Sequence, residues 1–187
     1  MTMAATPFVM SVSGRVADRL MSLPLPERFK HAMMPAGIMV SNGDAARYTD
    51  HLIVVGYGIN GRNVSKAAGM AGIPYMILEI NPDTVHTERE AGEPIYYGDA
   101  TQEAVLAHAG ISRARVLVIA IPDVPATRMI TSLARNLNPK VHIIARTRFV
   151  TEVRPLYELG ADEVIPEEYE TSIEIFSRAL SEYLIPR

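Results

Sequence analysis

From His51 onward, short apolar runs alternate with segments of helical length, and this alternation limits the chain to few folds. Six runs rich in Val, Ile and Tyr have the length and composition of buried strands, at residues 51–55, 75–79, 94–97, 115–121, 141–145 and 163–165. Six segments of helical period separate or follow them, at residues 59–71, 82–91, 101–109, 124–137, 151–159 and 168–184. This pattern predicts an α/β domain in which helices cover both faces of a parallel sheet.

Residues at the predicted helix ends agree with these boundaries. Asn81 and Asp123 are typical first residues of helices, because their side chains accept hydrogen bonds from unpaired backbone amides. Gly92, Gly110 and Gly160 fall where three helices should end, and glycine readily adopts the left-handed backbone found there. Periodicity and end residues therefore predict the same helices.

The first 50 residues differ in character from the rest of the chain. Apolar residues recur at every fourth position from Val12 to Leu20, which predicts one short helix that ends at the prolines after it. Residues 35–44 begin and end in turn formers, as is typical of a linker. We therefore divide the chain into an N-terminal helix and linker, residues 1–50, and an α/β domain, residues 51–187.

Composition excludes several classes of function. Apolar residues make up 48% of the chain and charged residues 21%, so the chain can bury a hydrophobic core. The formal net charge of −3, with basic residues scattered along the chain, disfavours binding to nucleic acid. Cysteine is absent, which excludes disulfides, thiolate catalysis and cysteine-held metals. No secretory signal is recognisable, and no apolar stretch approaches the roughly 18 residues of a membrane-spanning helix.

A glycine pattern follows the first predicted strand directly and opens the first predicted helix. In GxGxxG, the first glycine permits a tight turn, the second lets the backbone approach a pyrophosphate, and the third lets the helix pack on the strand. The helix N-terminus then offers unpaired N–H groups and a partial positive charge to phosphates. A ligand-independent turn could contain the same glycines. The predicted phosphate-binding turn consists of Gly56, Tyr57, Gly58, Ile59, Asn60 and Gly61.

Glu79 stands at the end of the second predicted strand, 18 residues after Gly61. A carboxylate here accepts hydrogen bonds from both ribose hydroxyls and repels a 2′-phosphate, which favours NAD(H), AMP or another adenine nucleotide over NADP(H). Asn81, two residues further on, is assigned to the same site. The alternative is a Glu side chain that is merely solvated. Together, the alternation of strands and helices, the glycine turn and Glu79 predict a Rossmann-like, doubly wound six-stranded parallel sheet of order 3-2-1-4-5-6.

Two further positions are predicted on the carboxyl edge of the sheet. The adenine would lie beside the turn after the third strand, which contains Asp99, Ala100 and Thr101. Asp99 either contacts the base or caps the helix predicted from residue 101. Arg146, at the end of the fifth strand, either reaches a phosphate or other anion or forms a surface ion pair.

His86 and Glu90 are four residues apart on one predicted helix, a spacing that can hold a metal ion. Glu88 and Arg89 beside them indicate an ordinary solvated helix face instead. We therefore predict no metal site.

These motifs resemble the RCK, or TrkA-N, nucleotide-binding domain found at the cytoplasmic end of potassium channels and transporters. Within that group the chain looks most like the Kef-type monovalent cation:proton antiporters. The resemblance covers residues 51 to about 175 and is strongest in four segments, at 54–62, 97–101, 143–146 and 159–166. Residues 6–26 are also similar to the stretch after the final membrane helix of such antiporters.

The resemblance implies that the glycine turn, Glu79 and the turn at residues 99–101 contact NAD(H), AMP or a related adenine nucleotide. It also implies a regulatory domain on the cytoplasmic side of the cell membrane. That domain would gate potassium or other monovalent cation:proton antiport by a membrane transport domain, in the same chain or a separate subunit.

An apolar stripe runs along the last predicted helix, where Ile173, Phe176, Leu180 and Leu184 share one face. Family members use the corresponding helix to pack across a dimer, so the resemblance implies a homodimer. The alternative is that this face covers the sheet of its own chain.

Two other functions fit the nucleotide motif. A small NAD-dependent oxidoreductase needs a substrate site and usually a proton donor, but no Tyr is followed four residues later by Lys, and the chain after the sixth strand is short. A free-standing regulatory subunit of a Trk-type potassium transporter would contain the same nucleotide-binding domain. The sequence favours a regulatory domain over an enzyme.

Overall fold

The computed structural model describes residues 48–184, and it confirms the predicted α/β architecture. Along this part of the chain the elements are β1 (Leu52–Val55), α1 (Ile59–Met70), β2 (Tyr75–Glu79), α2 (Pro82–Glu90), β3 (Ile95–Tyr97), α3 (Glu103–His108), β4 (Val116–Ile119), α4 (Val124–Leu137), β5 (His142–Thr147), α5 (Val153–Glu158), β6 (Glu163–Pro166) and α6 (Glu167–Leu184). Short 3-10 turns occupy Ile111–Arg113 and Val150–Glu152. The helix predicted near the N-terminus and nearly all of the linker lie outside the described residues.

The six strands form one parallel sheet in the predicted order, β3-β2-β1-β4-β5-β6. Leu52 of β1 is in register with Tyr75 on one side and with Val116 on the other, so β1 lies in the middle of the sheet. The strand order reverses between β1 and β4. In doubly wound sheets, ligands bind in the crevice at the carboxyl ends of the strands where this reversal occurs.

Alternate side chains of the strands enter two hydrophobic cores. Ile53 and Val55 belong to the larger core, which β1 shares with residues of α3, α4 and α5. Val54 belongs to the smaller core, beneath α1 and α2. That smaller core ends at β4, where Val116 and Val118 are only partly buried.

The expectation that helices cover both faces of the whole sheet is wrong for β4, β5 and β6. Every second residue of β4 and β5 is only partly buried, and β6 alternates between exposed and partly buried residues. The cause is that the connections between parallel strands are right-handed. Those that run from β1 toward β3 place α1 and α2 on one face of the sheet, whereas those that run from β4 toward β6 place α4 and α5 on the other. We call the uncovered surface, which includes Val118, Ile144 and Ile165, the open face.

The end residues predicted for the helices, Asn81, Asp123 and the three glycines, are confirmed. The side chains of Asn81 and Asp123 accept hydrogen bonds of 2.7 to 3.2 Å from backbone amides in the first turns of α2 and α4. Gly92, Gly110 and Gly160 have positive φ angles directly after helical turns. Within residues 48–184, no helix combines the length and the apolar composition needed to cross a membrane.

Candidate functional site

The glycine turn brings the start of α1 directly onto the end of β1. A Cβ on Gly61 would lie 1.9 Å from the Gly56 carbonyl oxygen, and a Cβ on Gly56, whose φ is +91°, would lie 2.6 Å from a side-chain carbon of Ile121. These two glycines are required by packing. A Cβ on Gly58 would meet no heavy atom within 4 Å, so this residue leaves open space in front of the turn.

The N-terminus of α1 differs from those of α2 and α4. Gly58 is its N-cap and makes no side-chain capping bond, and the first turn contains no acidic side chain. By contrast, Asn81 and Asp123 cap α2 and α4. The first turn of α1 therefore presents its backbone N–H groups and the positive end of the helix dipole to the crevice, an arrangement suited to phosphate.

The Glu79 carboxylate joins the end of β2 to the glycine turn. One oxygen accepts a 2.7 Å hydrogen bond from the Tyr57 amide, and the other accepts bonds of 2.8 and 2.9 Å from the amides of Ile80 and Asn81. A carboxylate has about four lone-pair sites, of which these bonds use three. A ribose diol could therefore add one bond directly and a second by displacing a backbone donor.

The Tyr57 side chain points away from the crevice, although its amide belongs to the site. The ring is buried, the Arg62 guanidinium lies 5.0 Å from its centroid, and its hydroxyl lies 3.4 Å from Glu88 Oε2. Burial, with a smaller contribution from the carboxylates of Glu93 and Glu88, raises the pKa of Tyr57. This side chain therefore ties α1 to α2 and stays protonated at neutral pH.

The turn after β3 lies beside Glu79, since the Gly98 amide donates a 3.0 Å hydrogen bond to the Glu79 carbonyl. Asp99 Oδ1 accepts bonds of 2.9 and 2.7 Å from the amide and hydroxyl of Thr101. The prediction of a helix that starts at residue 101 and is capped by Asp99 is wrong, because α3 begins at Glu103 and the Asp99 side chain closes the preceding turn. Ala100 is buried in the larger core.

Two exposed apolar residues stand at the same edge of the sheet. Ile59 begins α1, and Ile80 follows β2 and Glu79 directly. Exposed isoleucines next to a polar crevice can form the apolar walls that flat ligand rings require. Ile80 was not predicted as a site residue, although its place directly after the acid at the strand end could have indicated it.

A second group of predicted residues lines a cleft of about 680 Å³ between α1 and α6, over the open face. Asn60 and Arg146 both line this cleft. An Arg146 terminal nitrogen pairs with Glu167, so the predicted alternative of an ion pair is observed. Sequence reasoning missed Glu167. Glu167 could have been found from its place directly after β6. Pro166 is in register with Thr147, so Glu167 lies at the same edge of the sheet as Arg146.

The remaining predicted polar residues have structural roles. The Asn81 side chain is engaged as the cap of α2. His86 and Glu90 lie exposed on α2 with Nε2 and Oε1 3.5 Å apart. In the part of the chain that the structure describes, no group of three or more His, Cys, Asp or Glu side chains is placed to hold a metal ion.

A parallel sheet of this order, with a glycine turn and an acid at the end of β2, defines a Rossmann-type ligand-binding domain. The TrkA-N domain family model matches residues 52–167. The chain therefore belongs to the TrkA-N domain family.

Curated relatives are potassium efflux proteins. The putative K(+) efflux antiporter KefB of Alkalimonas amylolytica is 33% identical over 136 residues, which cover 73% of this chain and 21% of that protein. The glutathione-regulated potassium-efflux system protein KefC of Cronobacter sakazakii is 33% identical over 131 residues, covering 70% and 21%. The chain thus spans about a fifth of the length of these relatives.

Solved structures have the same fold. The TrkA-N domain of the inner membrane protein ybaL from Escherichia coli has a TM-score of 0.68 and 29% identity, over 70% of this chain and 97% of that one. The Shewanella denitrificans Kef CTD in AMP-bound form has a TM-score of 0.62 and 26% identity, over 71% and 80%. The GsuK channel bound to NAD, with 21% identity and a TM-score of 0.59, is similar in fold.

Proposed function

We propose that this domain binds an adenine nucleotide at the glycine turn and thereby regulates potassium or other monovalent cation:proton antiport by a membrane transport domain. The observation that carries the proposal is the 2.7 Å hydrogen bond from the Tyr57 amide to Glu79. This bond joins the carboxylate that would bind a ribose to the turn that would bind a phosphate. The similar Kef CTD in AMP-bound form, and relatives named as potassium efflux proteins, support this function.

The chemistry of the crevice favours a nucleotide without a 2′-phosphate. The Glu79 carboxylate attracts ribose hydroxyls and repels a second negative charge at the 2′ position, so NAD(H), AMP, ADP and ATP are preferred over NADPH. Ile59 and Ile80 supply apolar surface for the base. The proposed nucleotide-binding residues are Gly56, Tyr57, Gly58, Ile59, Asn60, Gly61, Glu79, Asn81, Asp99, Ala100, Thr101 and Arg146.

Calorimetry with NADH, NAD, AMP, ATP and NADPH tests this proposal. We expect Gly58→Ala to weaken binding about tenfold or more, because its Cβ enters the open space before the turn, at unchanged thermal stability. Gly69→Ala on the outer part of α1 is the matched control and should bind normally. The proposal fails if no nucleotide binds more tightly than about 1 mM, or if both variants bind like the unchanged protein.

The exposed stripe of α6 supports a homodimer, and the potassium efflux relatives support a place on the cytoplasmic side of the membrane. Ile173, Phe176 and Leu180 are 57%, 66% and 42% exposed, so these side chains do not cover the chain's own sheet. The side chain of Leu184 lies outside the described part. We infer that a second copy covers the stripe, and that nucleotide binding favours one arrangement of the dimer. The linker, residues 27–50, would transmit this change in dimer arrangement to the transport domain.

The proposed role is regulatory and involves no bond cleavage. A screen in which an added substrate causes NADH oxidation by the purified domain would overturn this and establish an oxidoreductase. A free-standing Trk-type subunit is distinguished by the gene: membrane helices encoded immediately upstream of this segment support the antiporter.

A further inference from the structure

The cleft between α1 and α6 contains a single positive charge among its described lining residues. Asn60 and Asn63 of α1 stand on one side, Glu167 and Glu170 of α6 stand on the other, and Arg146 projects from β5. The floor consists of apolar open-face side chains. A cleft with one cation and two amides can bind an oxyanion, provided that the cation is free to turn toward it.

Arg146 is incompletely paired. A terminal nitrogen donates to Glu167, while Nε is buried and has no hydrogen-bond partner. A guanidinium presents its donors as a planar fork that fits carboxylate or phosphate with two parallel bonds. Glu167 therefore holds Arg146 without satisfying all of its donors, and an oxyanion in the cleft can compete with Glu167 for the terminal nitrogens.

Glu167 is also the first residue of α6, so its ion pair with Arg146 attaches the start of that helix to β5. Glu168 Oε2 accepts a 3.0 Å hydrogen bond from the Val150 amide, which is a second attachment of the first turn. From residue 168 to residue 183 every described side chain is exposed. The direction of α6, and of its apolar stripe, is thus set by contacts at its first turn.

We propose that Arg146 and Glu167 form a latch that an oxyanion in this cleft opens: a phosphoryl or carboxylate group takes Arg146 from Glu167 and releases the first turn of α6. The identity of the oxyanion rests on the proposed function, because Asn60 belongs to both the glycine turn and the cleft, and a phosphate of a nucleotide bound at the turn is the expected source. Through this latch, ligand binding would change how firmly α6, the helix with the exposed apolar stripe, is attached to the sheet.

The latch is tested with Glu167→Gln and with Glu170→Gln as the matched control, which removes an equal charge from the same cleft and helix. Binding of NADH, AMP and inorganic pyrophosphate is measured by calorimetry, and hydrogen exchange by mass spectrometry at the amides of residues 171–176. We expect Glu167→Gln to bind these anions about tenfold more tightly and to exchange faster without ligand. Glu170→Gln also lowers the negative charge of the cleft but leaves the ion pair intact, so it should tighten binding less than Glu167→Gln and should not change exchange without ligand. Exchange of the unchanged protein should rise on binding.

The outcomes separate the latch from the nucleotide site. If nucleotides bind but Glu167→Gln neither tightens binding nor speeds exchange relative to Glu170→Gln, the latch is wrong and nucleotide binding stands. A change in only one of the two measurements also overturns it. If pyrophosphate alone binds and Glu167→Gln strengthens it, the latch stands with a free anion as its ligand, and nucleotide binding fails. If no anion binds, both proposals fail.

Discussion

The two halves of the sheet are built differently. In the half formed by β3, β2 and β1, helices cover both faces, and every residue of β1 is buried. In the half formed by β4, β5 and β6, one face is covered by α4 and α5, while Val118, Ile144 and Ile165 lie on the open face. We call the first half, which is covered on both faces, the complete half; it contains the glycine turn and Glu79, and its larger core continues into α4 and α5. The second half, which we call the open half, contains the Arg146 cleft and α6, and one of its apolar faces is uncovered.

Under the proposed function, this difference assigns ligand binding to the first half and the regulatory response to the second. A fully packed half would hold Glu79 and the glycine turn in fixed positions, which would lower the entropy that ligand binding must overcome. A half with an uncovered face and a projecting helix has fewer contacts that resist rearrangement. The following substitutions test whether the halves differ in this way.

Gly61→Ala should have the largest effect, because it acts on the packing of the complete half. Its Cβ would lie 1.9 Å from the Gly56 carbonyl oxygen, and only a shift of α1 away from β1 relieves that overlap. We expect the free energy of unfolding, measured by urea denaturation, to fall by about 3 kcal/mol or more. Gly69→Ala on the same helix, 3.5 Å from the Tyr75 ring, should be neutral or stabilising. Equal stability of the two variants would contradict the close packing of α1.

Ile173→Asp combined with Phe176→Asp tests the open half. We expect light scattering to show a monomer in place of a dimer, with the domain still folded, because neither hydrophobic core contains a residue of α6. Ile175→Asp is the matched control: Ile175 is 64% exposed but lies about 200° around the helix from Ile173. If the control also dissociates the dimer, or neither variant does, the stripe is not the interface.

Arg135→Lys tests the covered face of the second half. The Arg135 guanidinium donates five hydrogen bonds of 2.6 to 3.0 Å, to three backbone carbonyls between residues 139 and 160 and to Asp162. Lysine lacks the planar fork, and we expect a loss of about 2 kcal/mol in the free energy of unfolding. Arg154→Lys, at an exposed pair with Glu158, should change stability by less than about 0.5 kcal/mol. Similar losses in both variants would show that the five bonds add little.

The complete half was the more predictable from sequence, because its signals are local. Strands buried on both faces appear as continuous apolar runs, and β2 was predicted to the residue, Tyr75–Glu79. The spacing of Gly56, Gly61 and Glu79 specifies the turn and the acid through contacts within one β-α-β unit. Their three-dimensional arrangement therefore follows from short-range rules.

The second half was less predictable, because its burial depends on distant elements. Val118 and Ile144 are apolar like their buried neighbours, so the sequence contains no sign that their face is uncovered. The strand predicted to reach residue 121 ends at Ile119. The pairing of Arg146 with Glu167 also depends on where α6 begins, which periodicity places only to within a residue or two.

The smallest expected effect concerns β1, the strand of the first half that pairs with β4 of the second half. His51 precedes this strand and is 1% exposed; its Nε2 lies 3.0 Å from the Ala109 carbonyl oxygen, and its Nδ1 has no hydrogen-bond partner. Burial lowers the pKa of His51 below its ordinary 6.5, outweighing the hydrogen bond to Ala109. The folded domain therefore favours the neutral ring.

Thermal melts at about pH 7.5 and about pH 5 test this in the unchanged protein and in His51→Gln. Because the unfolded chain takes up a proton on His51 that the folded domain resists, its stabilising effect is complete above pH 6.5 and is lost as the pH falls toward the lowered pKa. Glutamine can still donate to the Ala109 carbonyl but does not titrate, so this variant should lose less stability on acidification. His86→Gln, on the exposed face of α2, should behave like the unchanged protein. If all three proteins show the same pH dependence, protonation of His51 does not contribute to the loss of stability at low pH.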